Sequence, residues 1–275
     1  MALTVNTNMA SVDAINQLSS STRKLAGSFE RVASGLRINK AADDAAGLGV
    51  AENLNAAGRS ARQAMRNTND GISLLQTAEG ATGEVANILK RMRELAIQSA
   101  SDTLDGDERQ YIQDEFQELV GEVSRIASVT EFNGVQLTNG ATTLQVQVGI
   151  NNTTNDRITI GMGDLRATVL GVDTGSVNLA TVTGARSAIA IFDTALDSVN
   201  SYRSGYGSAQ NRLETALRNT EIYVENITAA ESRIRDADYA YETAEMAKHQ
   251  ILQQAGISVL SQAKAINQGV LSLIQ

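Results

Sequence analysis

Proline is absent from this chain of 275 residues, and so are cysteine and tryptophan. Ordinary usage of about 5% would place on the order of 14 prolines in a chain of this length. Because proline inside a helix removes a hydrogen bond and clashes with the preceding turn, its absence permits long unbroken helices. Without cysteine, the chain forms neither a disulfide nor a thiolate metal site.

Aromatic residues and basic charge are also scarce. Aromatic residues make up 4% of the chain, so small and aliphatic side chains must supply most of the packing. The formal net charge is −8, which argues against a nucleic-acid surface because such a surface needs clustered basic residues. No apolar run approaches the roughly 20 residues that span a bilayer. The N-terminus lacks a basic region followed by an apolar core, so we expect any secretion to proceed without an ordinary signal peptide.

The stretch from residue 44 to residue 100 organises the rest of the chain. Apolar or small residues recur there at alternating steps of three and four, which is a heptad stripe. A helix of this length extends roughly 80 Å at about 1.5 Å per residue, which predicts a rod-shaped molecule. A second apolar line beside the first requires more than one partner helix. The first line is Leu54, Ala57, Ala61, Ala64, Thr68, Gly71, Leu75, Ala78, Thr82, Val85, Leu89, Met92 and Ala96, and the second is Met65, Ile72, Ile88 and Leu95.

The partner helices follow from the same spacing. It predicts terminal helices over about 5–33 and 240–275, and a second long helix over about 186–234. Asp105 and Glu108 form a capping box for one more helix, which carries Ile112, Phe116, Leu119, Val123 and Ile126.

Between residues 130 and 184 the helical period disappears. Leu144, Val146 and Val148 alternate with polar residues, as do Ile158 and Ile160, which predicts a β-hairpin. The rest of this region is polar and rich in turn residues. We therefore expect residues 139–184 to face solvent at an outer surface and to tolerate insertions near Asn152 or Asn155.

The sequence thus predicts a mainly α fold. It is an elongated antiparallel helical bundle or coiled coil with a small β-hairpin tip, and the N- and C-terminal helices pair as an inner coiled coil. We expect residues 1–42 and 236–275 to form an inner terminal-helix domain. Residues 43–235 form an outer helical core domain, with the β-hairpin region at about 130–184.

Several sequence blocks resemble bacterial flagellin, in the family's order and over nearly the whole chain. The most specific is SGLRINKAADDAAGL at 34–48. The others are NDGISLLQTAEG at 69–80, RMRELAIQ at 91–98, EFNG at 131–134, QNRL at 210–213, AESRIRD at 230–236 and VLSL at 270–273. Because only about 50 residues separate the helical halves, the chain resembles a minimal flagellin without large outer domains. The family often has a proline near the position of Asn267, which this chain lacks.

The resemblance implies a structural, non-enzymatic role without a cofactor. Such a chain is exported through the flagellar secretion channel and self-assembles into the extracellular flagellar filament used for swimming. The implied partners are copies of the same chain, an export chaperone, hook-junction and cap proteins, and an animal Toll-like receptor. The resemblance aligns Arg91, Leu95 and Glu115 with the receptor contact. It implies neither nucleic-acid binding nor membrane insertion.

The terminal stripes supply the candidate polymerisation residues, because these stripes have no partner nearby in sequence. We expect both ends to be disordered in the free monomer and helical in the polymer, because isolated helices gain little stability in water. The candidate residues are Ile15, Leu18, Leu25, Phe29, Val32, Leu252, Ala255, Val259, Ile266 and Leu273.

Other interpretations stay open from the sequence. A hook–filament junction protein shares similar terminal helices, and a secreted coiled-coil adhesin or effector would share the heptads. An enzyme is disfavoured because no nucleophile–base pair, phosphate loop or metal motif is present. His249 is the only histidine and is interpreted as a surface or interface residue. The pairs Asp43/Asp44 and Asp236/Asp238 are interpreted as helix caps and linker contacts rather than metal ligands.

Overall fold

The computed structural model describes the backbone of residues 8–272 and side chains as far as residue 265. Five long helices are present in this part of the chain, and the mainly α fold with a β-hairpin is confirmed. The helices are α1 (Met9–Ser34), α2 (Ala45–Ser99), α3 (Gly106–Val129), α4 (Val182–Arg235) and α5 (Tyr239–Ser272). The strands are β1 (Glu131–Phe132), β2 (Val135–Gln136), β3 (Thr143–Gln147) and β4 (Arg157–Gly161).

The chain divides into two units. The terminal unit comprises residues 8–58 and 226–272 of the described chain, and the central unit comprises residues 59–225. The long helices α2 and α4 each contribute to both units.

Local side chains set the helix boundaries, as the sequence predicts. Asp105 and Glu108 form the capping box of α3, and the Asp44 carboxylate accepts the Gly47 N–H at the start of α2 at 2.8 Å. The Asp238 carboxylate accepts the N–H groups of Ala240 and Tyr241 at the start of α5. The capping interpretation of the paired aspartates is therefore confirmed at Asp44 and Asp238.

The core of the central unit follows the heptad stripe of α2. Every stripe residue from Ala61 to Ala96 is buried, as are Phe116 of α3 and Phe192 of α4. The two phenylalanine rings lie 5.9 Å apart in a tilted arrangement. Because three helices contribute to one apolar cluster, the prediction that α2 needs more than one partner is confirmed.

The predicted hairpin is β3 paired antiparallel with β4, with Val146 opposite Ile158 and Leu144 opposite Ile160. Its apolar face packs against Leu75 of α2 and Leu213 of α4. A smaller hairpin, β1–β2, turns at Asn133 and Gly134, whose φ angles of 50° and 77° explain the residue types found there.

The segment 162–181 corrects the expectation that residues 139–184 face solvent. Leu165, Leu170, Val177 and Leu179 are buried in the central core. The Leu179 backbone is held from both sides, because its N–H donates to the Gln113 side chain and its carbonyl accepts the Ser99 hydroxyl. Irregular turns place these apolar residues inward, so no regular period marks them. The polar loop at residues 151–155 does face solvent, as do shorter stretches at residues 141–143 and 174–176.

In the terminal unit, α1 and α5 pack antiparallel. The Asn8 side chain donates to the Ala263 carbonyl at 2.9 Å, and at the other end Arg31 pairs with Glu242 at 2.8 Å. The two linkers also pair, because Leu36 and Asp236 form an isolated antiparallel bridge. Both ends of the chain thus meet along their helices and at their linkers.

Candidate functional site

The contact line between α1 and α5, called the seam here, consists largely of small and polar residues. On α1, Ala14, Ser21 and Ser28 recur at every seventh position and face α5. Leu18, Leu25 and Val32 have the same spacing and lie beside them. On α5 the line includes Glu242, His249, Gln253, Gly256, Leu260 and Ala263. A Cβ placed on Gly256 would lie 3.5 Å from Leu18, which is ordinary van der Waals contact, so Leu18 lies against Gly256 across the seam.

The predicted polymerisation residues of α1 divide between the seam and the open surface. Leu18, Leu25 and Val32 are half-buried on the seam. Ile15 and Phe29 lie on the neighbouring flank, and Phe29 is 65% exposed. The five residues therefore do not form one buried stripe within the chain.

The predicted residues of α5 lie outside the seam. Leu252 is 43% exposed and Val259 is 54% exposed, and Ala255 between them is also exposed. Ile266 and Leu273 lie outside the residues whose side chains the structure describes. Ile251 and Ile257 are further exposed apolar residues that the sequence reasoning did not single out.

The seam residues that sequence reasoning missed share one signal. Ser21 and Ser28 repeat at seven residues, and each lies three residues after a leucine of the stripe. Because they are apolar, Ile15 and Phe29 were the more obvious candidates for contact between the terminal helices. Small side chains, however, allow two helices to approach more closely. As a result, much of the apolar surface of α1 and α5 stays open in the single chain.

The seam also contains a polar cluster around Glu242 and His249. Arg31 pairs with Glu242, whose Oε2 atom is buried and accepts no hydrogen bond. His249 Nε2 lies 3.3 Å from Glu245 Oε2, and its buried Nδ1 atom has no partner. A hydrogen bond from Lys248 lowers the pKa of Glu245. His249 is therefore an interface histidine within the chain, and buried atoms without partners weaken this part of the seam.

The linker after α1 is organised by Asp43. Its carboxylate accepts the N–H groups of Lys40 at 3.0 Å and Asn39 at 3.1 Å, and these bonds lower the pKa of Asp43. Lys40 in turn pairs with Glu30 at 2.7 Å, which raises the pKa of Lys40. The linker thus has a defined hydrogen-bonded conformation.

The predicted receptor residues meet on the face shared by α2 and α3. Arg91 pairs with Glu115 at 2.8 Å and with Glu94 at 3.4 Å, and the hydrogen bond that Arg91 donates to Glu115 is the main cause of the raised pKa of Arg91. Leu95 lies beneath them, and only 1% of it is exposed. Arg91 and Glu115 therefore present the surface, and Leu95 supports it from below. Arg93 lies apart from this patch because it pairs with Asp193 of α4.

Neither a metal centre nor a membrane span is evident in the described residues. No group of three or more histidine and acidic side chains there is arranged to hold an ion. None of the helices, as far as the structure describes them, combines the length and the apolar content needed to cross a bilayer. What the described surface offers is open apolar side chains on α1 and α5 and charged patches on the central unit.

Comparison with known proteins gives two family matches. Residues 5–143 match the bacterial flagellin N-terminal helical region, and residues 189–274 match the bacterial flagellin C-terminal helical region. The chain is 40% identical to a flagellin of Halalkalibacterium halodurans over 272 residues, covering 98% of this chain and 99% of that one. It is 39% identical to the flagellar filament core protein flaB2 of Brachyspira hyodysenteriae over 285 residues, again covering 98% and 99%.

Two solved structures are also similar to this chain. The crystal structure of Bacillus cereus flagellin matches with a TM-score of 0.50 and 34% identity, covering 56% of this chain and 88% of that one. A putative flagellar hook-associated protein from Vibrio parahaemolyticus matches with a TM-score of 0.59, covering 70% of this chain and all of that one. Its identity is 14%, so this second likeness concerns the fold alone.

Proposed function

The chain belongs to the bacterial flagellin family, and from this premise we propose how its ends build the flagellar filament. It is a structural subunit that assembles with its own copies into the extracellular filament. In the proposal, residues 1–42 and 236–275 form the inner part of the filament and residues 43–235 the outer part. The ends supply the contacts that hold neighbouring subunits together.

The observation that carries this proposal is the open apolar surface of the terminal helices. Ile15, Phe29, Leu252 and Val259 are exposed although their helices already pack against each other. Burying one such side chain contributes roughly 1.5–3 kcal/mol. A subunit placed between several neighbours can bury all of them, so assembly supplies the stabilisation that the seam alone does not.

The direct test changes the apolar surface of α5 without touching the seam. In the double variant Leu252→Asp and Val259→Asp, we expect no filaments after seeding, because each contact would bury unpaired carboxylates. The matched control is Gln254→Asp with Ser261→Asp, since these exposed residues have the same spacing on the opposite flank of α5. Electron microscopy after seeding provides the measurement. Normal filaments from the first variant would contradict the proposal.

The same surface supports a role for partners before assembly. The exposed apolar residues of α5 suit binding by an export chaperone, which would protect them before assembly. The chain would then polymerise beneath the cap protein, on a filament that begins at the hook-junction proteins. Loss of chaperone binding in the Leu252→Asp and Val259→Asp variant, measured by calorimetry, is the expected result. Unchanged affinity would separate the chaperone site from the polymerisation surface.

A second proposed contact is an animal Toll-like receptor at Arg91 and Glu115. The support is the exposed ion pair between these residues, together with the family resemblance. We expect Arg91→Ala to reduce activation of reporter cells by the monomer, while Arg93→Ala serves as the control because Arg93 pairs with Asp193 elsewhere. Equal activation by both variants would contradict a contact at Arg91. The intact filament is expected to hide the patch and to activate poorly.

A further inference from the structure

A long groove lies in the central unit between the β3–β4 hairpin and α4. Its volume is about 990 Å³, and its helical wall runs from Ser204 to Asn219. That wall extends roughly 22 Å at about 1.5 Å per residue. Hydroxyl and amide side chains dominate the lining. Gly207 and Ala216 are small, so part of the helical wall projects little into the groove. The groove can therefore accept an extended polar surface such as one side of a helix.

The charge of this hairpin groove is unusual for a chain with a net charge of −8. No acidic residue lines it, whereas Arg157 and Arg212 both do. Arg157 donates to the side chains of Gln147 and Asn152, which are neutral amides. In the described part of the chain, the Arg212 side chain has no hydrogen-bond or ion-pair partner. Both guanidinium groups thus lack a carboxylate.

One acidic side chain lies beside this groove in sequence. Asp156 precedes Arg157 in sequence but is not part of the lining. Its carboxylate accepts the hydroxyl of Thr153. The lining itself thus carries two permanent positive charges and no negative one.

A surface of opposite charge lies on α3 of the same unit. Asp107, Tyr111, Asp114 and Glu118 are spaced by four, three and four residues, so they share one exposed helix face, called the α3 acidic face. It extends roughly 16 Å along the helix, which is shorter than the groove wall. Tyr111 is 73% exposed and provides an aromatic anchor in the middle of this face.

The carboxylates of this face also lack cationic partners. Asp114 accepts only from the Gln110 amide at 2.9 Å, whereas Glu115 and Glu122 beside it are paired with arginines. Glu118 has no ion-pair partner among the described residues. The acidic face and the hairpin groove are thus complementary in charge, and neither has an ion pair with another described residue.

From this complementarity we infer that the α3 acidic face of one subunit docks in the hairpin groove of a neighbouring subunit. The inference rests on the filament function. A helical polymer needs two different patches on each subunit, because head-to-tail contacts join one patch to the other. The contact would also cover Glu115, which lies next to Asp114 on α3. It therefore gives a physical reason for the receptor patch to be hidden in the filament.

A charge swap tests this contact in the full-length chain. Arg212→Glu and Glu118→Arg are each expected to raise the critical concentration for seeded polymerisation about tenfold, which corresponds to about 1.4 kcal/mol. The double variant carries both changes and exchanges one charge of each surface, so it should return to within about threefold of the unmodified chain. Both single effects should weaken at high salt, because screening reduces interactions between surface charges.

The matched control combines Arg66→Glu with Glu118→Arg. Arg66 is an exposed arginine of α2 whose side chain donates to the neutral amide of Gln63, and it lies outside the groove. This combination should not recover polymerisation beyond the Glu118→Arg variant. Circular dichroism of each monomer shows whether the variants have folded, and a misfolded Arg212→Glu chain is replaced by Arg212→Gln paired with Glu118→Gln.

The outcomes separate the contact from the filament function. Absence of filaments from the unmodified chain would overturn the function itself. Normal filaments from Arg212→Glu, or a charge-swapped double variant no better than the worse single variant, would overturn the contact and leave the function intact. If Arg212→Glu polymerises normally but no longer retains polyglutamate, the groove binds another polyanion and the inference is likewise overturned.

Discussion

The central unit and the terminal unit are built from the same kind of heptad helix, yet they bury different residues. In the central unit the stripe of α2 is apolar and closed, with Leu75, Leu89 and Phe116 fully enclosed. In the terminal unit the seam includes Ser21, Ser28 and Glu242, while Phe29 and Val259 remain open. The difference indicates that the central unit supplies the stability of the single chain and that the ends reserve apolar surface for other chains.

The largest expected effect comes from replacing a phenylalanine by alanine in each of the two units. Phe116→Ala should lower the free energy of unfolding by about 3–5 kcal/mol, because it leaves a cavity in a closed core. Phe29→Ala should change monomer stability by less than about 0.5 kcal/mol, since its ring is exposed. Urea denaturation followed by circular dichroism measures both. Similar losses for the two variants would remove the distinction between the units.

An intermediate effect concerns the seam. Arg31→Ala should destabilise the pairing of α1 and α5 by about 1–3 kcal/mol, because it leaves the buried Glu242 carboxylate without its partner. Adding Glu242→Gln should recover part of the loss, since the uncompensated charge is removed. Protection of the α5 amides at residues 242–249, next to this ion pair, from hydrogen exchange gives the measurement. If Arg31→Ala loosens the central unit equally, the two units are not independent.

The smallest effect is a pH dependence in the linker. The pKa of Asp43 is lowered by the N–H groups of Lys40 and Asn39, so its stabilising contribution is present above the unfolded pKa. That contribution is lost as the pH falls through the lowered value. Amide resonances of Asn39 and Lys40 should therefore move in acid, while those of the α2 core do not. An Asp43→Asn variant should abolish the movement, and its persistence there would assign the titration to another group.

Periodicity predicted the fold well wherever apolar residues and burial coincide. The α2 stripe, the capping box at Asp105 and the β3–β4 hairpin all follow from spacing. It failed in the segment 162–181, because irregular turns bury Leu165 and Leu179 without a repeating pattern. A repeating pattern shows which side chains of a helix or strand are buried. It does not show which side chains of an irregular segment face the core.

The terminal helices show a different limit of sequence reasoning. Their apolar side chains indicated that Ile15 and Phe29 are buried in the functional state. They did not indicate whether the burying surface belongs to the same chain or to a neighbouring one. In the structure, small residues such as Ser21 and Gly256 form the intramolecular seam instead. Close approach of two helices depends on small side chains, so a search for large apolar residues finds Leu18 and Leu25 but misses the small residues beside them. The predicted set thus describes surface left for assembly better than it describes the contact within the chain.

Hydrogen exchange of the dilute monomer, compared with the assembled filament, tests the central claim most directly. We predict fast exchange across residues 18–29 and 252–265 in the monomer, because the seam is small and partly polar, and slow exchange across residues 75–96, where the stripe is fully enclosed. In the filament the terminal helices should become as protected as the central unit. Terminal helices already as slow as the central unit in the monomer, and unchanged on assembly, would contradict the account.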